Sequence, residues 1–529
     1  MGCCVFLPLS LCSFYSHHAY IPRGRSAPPT SKINKEEETA SFWRSQANAT
    51  LFERLKKTTN TNVAKNVILF LGDGMSIATL AAARTLLGQR DNKQGEETQL
   101  SFEKFPFTGL SKTYCVNRQV ADSACSATAY LCGVKANDAT IGVTAAVHYK
   151  NCNEMNNEAN HVHSIAHLSQ LKGKRTGVVT TTRVTHASPA GVYAHTAFRD
   201  WESDSDVAKD GETAATCPDI AQQLIHGSTG KNLNVIFGGG RSTFLPKVQM
   251  DEDYNHGWRS DGRNLIDEWK KDKSYNKHQY VHNSCGLQNI PDDTEYALGL
   301  FSSSHMDFNL ERNKAQQPSL AEMTVKAIKL LSQGDKGYFL FVEGGLIDHA
   351  HHATLAQKAL DETIEFHKAV QAAVDNTDES NTLIVVTSDH AHTMTLNGYP
   401  DRGNNILGLG GKGSDNIPYT TLSYANGPGA TANRADLPNQ DFREVNFKYP
   451  SYVPLPSETH GGEDVGIFAR GPWAHLLVGV TEQNVIAHVL KYASCVGPEN
   501  EQCLAISLKV YATFTFVISV IYLNFDFCA

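Results

Sequence analysis

Six short runs rich in apolar residues, five of them ending in glycine or a polar residue, alternate along the chain with stretches of helical periodicity. The runs are "NVILFLGDG" (66–74), "RTGVVTTTRV" (175–184), "NVIFGGG" (234–240), "YFLFVEGG" (338–345), "TLIVVTSDH" (382–390) and "DVGIFARG" (464–471). Continuous apolar runs of this length are typical of strands that are buried on both faces. The repeated strand-then-helix order predicts an α/β fold over residues 60–505, with a doubly wound, mostly parallel sheet covered by helices on both faces.

Two segments depart from this alternation of predicted strands and helices. Residues 397–457 are rich in Gly, Asn, Pro and Tyr, which predicts a loop-rich, crown-like insertion within the α/β domain. Residues 36–57 have the pattern of an amphipathic helix, and two interpretations stay open for it. Such a helix either folds onto its own domain or contacts a second subunit.

The two ends have the composition of processing segments. Residues 3–15 are apolar but too few to span a bilayer, which predicts a signal peptide over residues 1–20. The tail 510–529 holds an uncharged apolar run over 510–525. This run fits a removable signal for a GPI lipid anchor, a short membrane span or a packed strand pair, and we favour the anchor signal.

Composition and cysteine usage agree with export. The formal charge of -8 argues against a nucleic-acid partner. Two cysteine pairs in polar loops predict disulfides, Cys152–Cys217 and Cys495–Cys503, while Cys132 lies in an apolar segment and is predicted to be buried and free. Asn48 begins an N-x-[ST] sequon and is a candidate glycosylation site.

Polar side chains follow several of the predicted strands. Asp73, Glu343 and the pair Asp389–His390 each come at the end of an apolar run. Because ligands in open α/β sheets bind at the carboxyl ends of the strands, these groups are expected at one edge. A single Asp there is most often a helix cap, but several together predict a site for more than one metal ion.

The stretch "LIDHAHHA" adds further metal-ligand types. Asp348 and His352 are four residues apart and so share one face of a helix, and His460 follows later in "ETHGGEDV". Ser123 precedes a helical segment, where a serine is either a structural N-cap or a nucleophile activated by nearby metals. For binding an anionic substrate, the residues alone make Arg183 and Arg199 equal candidates.

Five motifs in this order resemble the alkaline phosphatases in their animal-type form. They are "DSACSATAYLCG", "VTHASPAGVYAHTAFRDW", "VEGGLIDHAHH", "TSDHAHT" and "ETHGGEDVGIFARGPWAHL". The resemblance covers roughly residues 40–505 and is greatest to invertebrate, membrane-associated members. It implies a metal-dependent phosphomonoesterase that acts at alkaline pH through a covalent phosphoserine, with phosphate monoesters as substrates.

The resemblance also implies roles for individual residues. Two Zn²⁺ ions would take Asp348, His352 and His460 for the first, and Asp73, Asp389 and His390 for the second. One Mg²⁺ would take Asp73, Ser188 and Glu343. Ser123 would be the nucleophile and Arg199 the phosphate clamp, with Asp122, His186, His349 and His392 in supporting positions. The resemblance further suggests that the helix at 36–57 contacts a partner subunit, which predicts a homodimer. Together with the apolar tail 510–525, the resemblance to membrane-associated members predicts a location on the extracellular face of the cell membrane, held by a lipid anchor.

One departure and several alternatives complete the sequence-based picture. Animal-type members often carry a calcium site, but Ser302 and Gln317 stand where carboxylates are wanted, so no calcium is predicted. A phosphodiesterase or sulfatase of the same superfamily would share the metal edge. A non-catalytic surface protein that keeps the fold as a binding scaffold is the remaining alternative.

Overall fold

The computed structural model describes residues 35–430 and 434–497. The predicted signal peptide, the predicted anchor signal and Cys503 lie outside the described residues. The main sheet has ten strands in the order β17-β2-β16-β8-β1-β7-β3-β4-β6-β5. Smaller sheets join β10, β13 and β14, then β11 with β12, and β15 with β9.

The strands are β1 Asn66–Gly72, β2 Phe107–Lys112, β3 Arg175–Arg183, β4 Val235–Gly239, β5 His278–Val281, β6 Tyr296–Leu300, β7 Tyr338–Gly344, β8 Thr382–Thr387, β9 Ala391–His392, β10 Met394–Leu396, β11 Leu409–Lys412, β12 Pro418–Thr420, β13 Leu422–Gly427, β14 Ser451–Pro454, β15 His460–Gly461, β16 Val465–Arg470 and β17 Gly479–Glu482. The α-helices are α1 Ala40–Leu55, α2 Ile77–Arg90, α3 Ser123–Ala127, α4 Cys152–Met155, α5 Ile165–Leu171, α6 Ala187–Ala190, α7 Asp204–Lys209, α8 Ile220–His226, α9 Leu265–Asp272, α10 Ser284–Gln288, α11 Leu320–Leu331, α12 Leu346–His352, α13 Ala356–Asp375 and α14 Val485–Ser494. Short 3₁₀ turns and a π-helical turn at Thr128–Cys132 connect them.

The predicted doubly wound sheet is confirmed. Strand β1 pairs in parallel with both β7 and β8, and alternate β1 residues belong to opposite layers of the core. Leu69 lies in one apolar cluster, which receives α5 and α14, whereas Phe70 lies in the other, which receives α11 and α13. Because side chains of a strand alternate with period 2, this division places helices on both faces.

The only departure from a parallel arrangement within the described main sheet is β16. It lies between β8 and β2 and is antiparallel to both. Its run "VGIFAR" is buried apart from Arg470, which is the same pattern as in the parallel strands. Apolar content therefore predicted the strand, but it does not encode the direction of pairing.

The segment 397–457 contains more regular structure than its composition indicates. It includes β11 to β14, and its inner side packs Tyr424 and Tyr449 against Ala82 of α2 and Leu360 of α13. Strands of three to six residues interrupted by glycine leave little periodicity in the sequence. The insertion is thus loop-rich but anchored to the domain by an apolar patch.

The N-terminal segment forms α1, with Thr39 as its N-cap. None of its residues is buried, and its large apolar side chains Trp43, Leu51, Phe52 and Leu55 are 49%, 53%, 60% and 70% exposed. Just before the helix, Glu37 forms an ion pair with Arg402. Within the described residues, no helix combines the length and apolar character that a membrane crossing requires.

Candidate active site

Three adjacent strands deliver carboxylates to one edge of the main sheet. Asp73 follows β1, Glu343 lies near the end of β7, and Asp389 follows β8, and all three side chains are fully buried. Burial, together with the negative charges of Asp389 and Asp348, raises the pKa of Asp73 well above its usual range. Burial also raises the pKa of Glu343 to about 7. The edge therefore holds more negative charge than the protein itself compensates.

Several polar atoms at this edge have no protein partner. Among the described residues, both carboxylate oxygens of Asp73, Glu343 Oε1 and Ser188 Oγ are buried without a hydrogen-bond partner. The other oxygen of Glu343 accepts bonds from Thr180 and Thr182, the latter at 3.0 Å. Since buried polar groups are normally satisfied, converging oxygen atoms of this kind fit a hard cation such as Mg²⁺.

A second group of donors fits a tetrahedral ion. Asp348 Oδ1 lies 3.3 Å from His352 Nε2 and 3.4 Å from His460 Nε2, and the two nitrogen atoms are 3.2 Å apart. The ligand–ligand edge of a zinc site with bonds of 2.0–2.1 Å is about 3.3–3.4 Å. The three donor atoms therefore already have the spacing that such an ion requires.

The tautomers of the two imidazoles support this interpretation. His352 Nδ1 donates to the carbonyl of Glu458 at 2.5 Å, and His460 Nδ1 donates to the carbonyl of Ala121 at 2.7 Å. Because a carbonyl oxygen can only accept, each Nδ1 carries the proton and each Nε2 presents a lone pair. Two lone pairs facing each other cannot form a hydrogen bond, but they can share a cation.

The third group lies beside the serine. His390 Nε2 is 3.0 Å from Asp389 Oδ2, 3.5 Å from Asp73 Oδ1 and 3.2 Å from Ser123 Oγ. Burial opposes ionisation of Asp389, but its interactions with the His390 side chain and the backbone N–H of Gly74 lower its pKa to about 2. The ligand set predicted for the second zinc is thus assembled within reach of the candidate nucleophile.

The structure distinguishes between the two interpretations of Ser123, which are a structural N-cap and a nucleophile. The N-cap of α3 is Asp122, whose Oδ1 accepts from the backbone N–H of Cys125 at 3.1 Å. The Ser123 hydroxyl is not used for capping and points instead to His390, with the side chain 1% exposed. A buried hydroxyl that the helix does not need is available for chemistry.

The two candidate arginines have different partners. Arg183 is committed to Glu202, with bonds of 2.8 Å from Nε and 2.6 Å from Nη2. Arg199 donates from Nη1 to Asp122 Oδ2 at 3.0 Å, and its Nη2 lies 3.2 Å from His186 Nε2. Asp122 therefore links Arg199 to the residue next to Ser123, and this arrangement favours Arg199 as the group facing substrate.

Glu458 and His305 contact residues of the site, although the sequence analysis gave neither of them a role, and Glu458 does so through the predicted supporting residue His392. His392 lies between Asp348 Oδ1, at 2.6 Å, and Glu458 Oε2, at 2.5 Å. Burial opposes protonation, but the hydrogen bonds to Asp348 and Glu458 raise the pKa of His392 to about 10. Glu458 opens the "ETHGGEDV" motif two residues before His460, which was a usable signal, but the sequence analysis assigned it no contact with His392.

His305 was missed as well. Its ring lies 4.2 Å from that of His349 and 5.2 Å from that of His186, and its Nε2 contacts Arg183. The structure thus places the predicted supporting residues His186 and His349 in one histidine group beside Arg199, whereas His392 lies beside Asp348. "SSSHMDF" gives no sequence signal for this, because a single His in a polar loop has many uses.

The structure contains the Cys152–Cys217 disulfide and a second one, Cys115–Cys125, that the sequence analysis did not predict. Cys115–Cys125 closes a short loop, with a sequence separation of 10, around Asp122 and Ser123. Cys132 is free and buried, and burial raises the pKa of its thiol to about 12. The pairing of Cys495 with Cys503 stays a prediction.

A mostly parallel α/β sheet with a buried carboxylate–histidine edge and a buried serine beside it is typical of hydrolases that use bound cations. The alkaline phosphatase family profile matches residues 64–496. The membrane-bound alkaline phosphatase of Bombyx mori is 48% identical over 501 residues, covering 92% of this chain and 91% of that protein. The tissue-nonspecific isozyme of Rattus norvegicus is 47% identical over 486 residues, covering 89% and 92%. This chain belongs to the alkaline phosphatase family, and it is a phosphomonoesterase.

Solved structures agree at the level of the fold. Thermus thermophilus alkaline phosphatase has a TM-score of 0.58 at 20% identity, covering 83% of this chain and 93% of that chain. The cold-active alkaline phosphatase of a Shewanella species has a TM-score of 0.57 at 23% identity, covering 82% and 100%. The large α/β sheet with helices is therefore the fold of this family.

Proposed function

We propose that this enzyme hydrolyses phosphate monoesters at alkaline pH with Ser123 as the nucleophile and Arg199 as the phosphate clamp. The observation that carries the proposal is the Ser123 hydroxyl, buried and 3.2 Å from His390 at an edge of uncompensated carboxylates. Such an edge attracts cations, and a phosphate dianion binds where cations and a guanidinium meet.

Two Zn²⁺ ions and one Mg²⁺ ion fit the donor sets. We assign the first Zn²⁺ to Asp348, His352 and His460, the second to Asp73, Asp389 and His390, and the Mg²⁺ to Asp73, Ser188 and Glu343. Bound there, the cations would lower the pKa of the serine hydroxyl and of the attacking water, and would stabilise the charge on the leaving oxygen. Supporting contacts come from Glu458 and Ala121, which fix the tautomers of His352 and His460.

We do not propose a calcium site. The acidic residues near Ser302, which include Asp251 and Asp253, already pair with the buried guanidinium of Arg241. Gln317 is uncharged and donates to Asp307 Oδ2 at 3.1 Å. A divalent ion would have to compete with an internal cation and would gain few carboxylates there.

The proposed reaction consists of two successive displacements at the phosphorus atom. Ser123 Oγ gives up its proton to solvent and attacks phosphorus in line, the bond from phosphorus to the ester oxygen breaks, and that oxygen takes up a proton from solvent as the alcohol leaves. The guanidinium of Arg199 holds two phosphoryl oxygens, while Asp122 keeps it aimed beside Ser123. In the second displacement, water attacks phosphorus from the vacated side, the bond from phosphorus to Ser123 Oγ breaks, phosphate is released, and Oγ takes up a proton to restore the serine hydroxyl. Ser123 and Arg199 contact only the phosphoryl group of the substrate, so we expect the enzyme to hydrolyse phosphate esters of many different alcohols.

The alternatives are less favoured than the phosphomonoesterase. Relatives that are 45–48% identical over nearly the whole chain are alkaline phosphatases. The direct test is release of p-nitrophenol from p-nitrophenyl phosphate at alkaline pH, compared with bis(p-nitrophenyl) phosphate. Faster cleavage of the diester would favour the phosphodiesterase, and no cleavage of either would favour a binding scaffold.

Arg199→Lys is expected to raise KM for p-nitrophenyl phosphate and Ki for inorganic phosphate by about tenfold to a hundredfold. Lysine keeps the charge but loses the two-pronged geometry, and a hydrogen bond to a charged group contributes ~1.5–3 kcal/mol. Arg183→Lys is the matched control, because Arg183 is bonded to Glu202. This control should lower Tm and leave KM unchanged. A KM effect in Arg183→Lys and none in Arg199→Lys would reverse the assignment.

A homodimer is proposed, with α1 as a contact to the partner subunit. Four large apolar side chains of α1 are at least 49% exposed in the single chain, which favours a covering partner. Deleting residues 1–57 should shift the mass in light scattering from dimer to monomer. An unchanged dimer would remove α1 from this role, and a monomeric intact chain would remove the dimer itself.

Attachment to the outer membrane leaflet through a GPI anchor is proposed from the apolar tail 510–525 and supported by the membrane-bound relative from Bombyx mori. Phosphatidylinositol-specific phospholipase C should release activity from intact cells into the medium. Activity that stays with the cells, with tail peptides present in the mature protein, would contradict the anchor. Asn48, exposed on α1, is the proposed glycan site of this extracellular form.

A further inference from the structure

Four histidines that the catalytic mechanism does not use lie together at the surface. They are His161, His163, His167 and His195, and we call them the outer histidine cluster. The rings of His161 and His195 are 4.2 Å apart, those of His163 and His167 are 4.2 Å apart, and His163 is 5.8 Å from His195. The cluster forms where the start of α5 meets the segment that follows α6.

Two of the four imidazoles have their tautomers fixed by carbonyl oxygens. His161 Nε2 donates to the carbonyl of Met155 at 2.7 Å, and His195 Nδ1 donates to the carbonyl of Gly142 at 2.6 Å. The remaining ring nitrogen of each, Nδ1 of His161 and Nε2 of His195, therefore presents a lone pair. A histidine anchored through one nitrogen to a backbone carbonyl is the usual arrangement of a metal ligand.

The other two imidazoles meet at the start of α5. His163 precedes Ser164, the N-cap of α5, and so lies outside the helix, whereas His167 lies within it. Their rings stack 4.2 Å apart at an angle of 18°, and this contact places both imidazoles within reach of one ion. His167 Nδ1 pairs with Thr229 Oγ1 at 2.9 Å, which leaves its Nε2 for a ligand. His163 is exposed, so an ion can enter from solvent.

The protonation state of the cluster suits metal binding. Burial lowers the pKa of His163 and of His167, and it lowers the pKa of His195 to about 4. These imidazoles are therefore neutral at pH 7 and above, where each has a lone pair to offer. A set made only of imidazoles favours Cu²⁺ and Zn²⁺ over Mg²⁺ and Ca²⁺, and Cu²⁺ is bound most tightly in the Irving–Williams order.

We propose that the outer histidine cluster binds one divalent transition-metal ion, Cu²⁺ in preference to Zn²⁺. The ligands would be Nδ1 of His161, Nε2 of His195, Nε2 of His167 and a nitrogen of His163. None of these residues belongs to the donor sets assigned to the catalytic ions. The outer histidine cluster would be an additional, solvent-accessible metal site, and the ligand sets proposed for the catalytic ions would be unchanged.

The test uses untagged full-length enzyme loaded with zinc and magnesium and dialysed to equilibrium against Cu²⁺. Three proteins are compared: the wild type, the cluster variant His163→Gln/His167→Gln, and the control variant His148→Gln/His256→Gln. His148 and His256 are exposed histidines from elsewhere in the chain. Wild type and control should each retain one more Cu²⁺ per subunit than the cluster variant. The electron paramagnetic resonance spectrum of that extra copper should show nitrogen hyperfine structure.

Two further measurements decide how a result is interpreted. Phosphatase activity and Tm without copper should be the same in all three proteins, which shows that the cluster variant is folded. Zinc and magnesium are counted in the same samples. Equal copper in wild type and cluster variant would overturn the proposal, and so would copper uptake matched by an equal loss of zinc, because that copper would lie at the catalytic edge.

Discussion

Replacing Ser123 by alanine is expected to abolish the phosphoenzyme and to reduce kcat by a factor on the order of 10⁴ to 10⁶. The loss is large because alanine removes the hydroxyl, 3.2 Å from His390 Nε2, that we assign as the attacking group. The fold should be unaffected, since Asp122, not Ser123, caps α3. Alanine at position 123 removes one oxygen atom and no structural hydrogen bond to the helix.

The measurement combines steady-state rates with trapping of a labelled phosphoprotein at acid pH. Ser126→Ala is the matched control, because Ser126 is buried in the same short helix and its hydroxyl donates to the Asp122 carbonyl at 2.9 Å. The control should retain the label and most of the rate. A phosphoprotein recovered from Ser123→Ala would show that another residue is the nucleophile.

The second large effect concerns the tetrahedral donor set. His352→Ala and His460→Ala should each lose one bound metal per subunit, although the two residues are 108 positions apart in the chain. Each change removes one of three ligands, and the remaining two hold Zn²⁺ weakly. Because both changes empty the same site, the double variant should lose no more metal than either single variant.

Elemental analysis of dialysed protein provides the count, and His351→Gln is the control. His351 lies beside His352 in α12, but its two nitrogens pair with Thr79 at 3.0 Å and Tyr424 at 2.9 Å. The His351→Gln variant should therefore keep the full metal content of the wild type. If His352→Ala and His460→Ala removed different metals, or if their losses added in the double variant, these residues would belong to separate sites.

Much of this site could be predicted from sequence because of how parallel sheets are built. Asp73, Glu343 and Asp389 are far apart in the chain, yet each comes at the carboxyl end of an apolar run. The strands β1, β7 and β8 are neighbours, so the three carboxylates converge. The convergence needs no knowledge of side-chain packing, only the order and direction of strands.

The features that were missed depend on contacts between loops. Glu458 contacts His392, and His305 contacts Arg183, but neither residue belongs to a periodic pattern, and only Glu458, two residues before His460, has a sequence neighbour that points to the site. Cys115 and Cys125 have no spacing typical of a metal or redox motif, so their pairing followed only from the fold. The antiparallel direction of β16 was missed for a related reason, because apolar content is the same in both directions.

The Cys115–Cys125 disulfide links catalysis to the compartment in which the chain folds. It ties the segment after β2 to the first turn of α3, and the loop that it closes contains both Asp122 and Ser123. A crosslink of this kind stabilises a folded protein by ~2–4 kcal/mol, mainly by restricting the unfolded chain. Thiols stay reduced in the cytosol and are oxidised along the secretory route. A protein molecule retained in the cytosol would therefore carry every catalytic residue but lack the disulfide that closes the loop around its nucleophile.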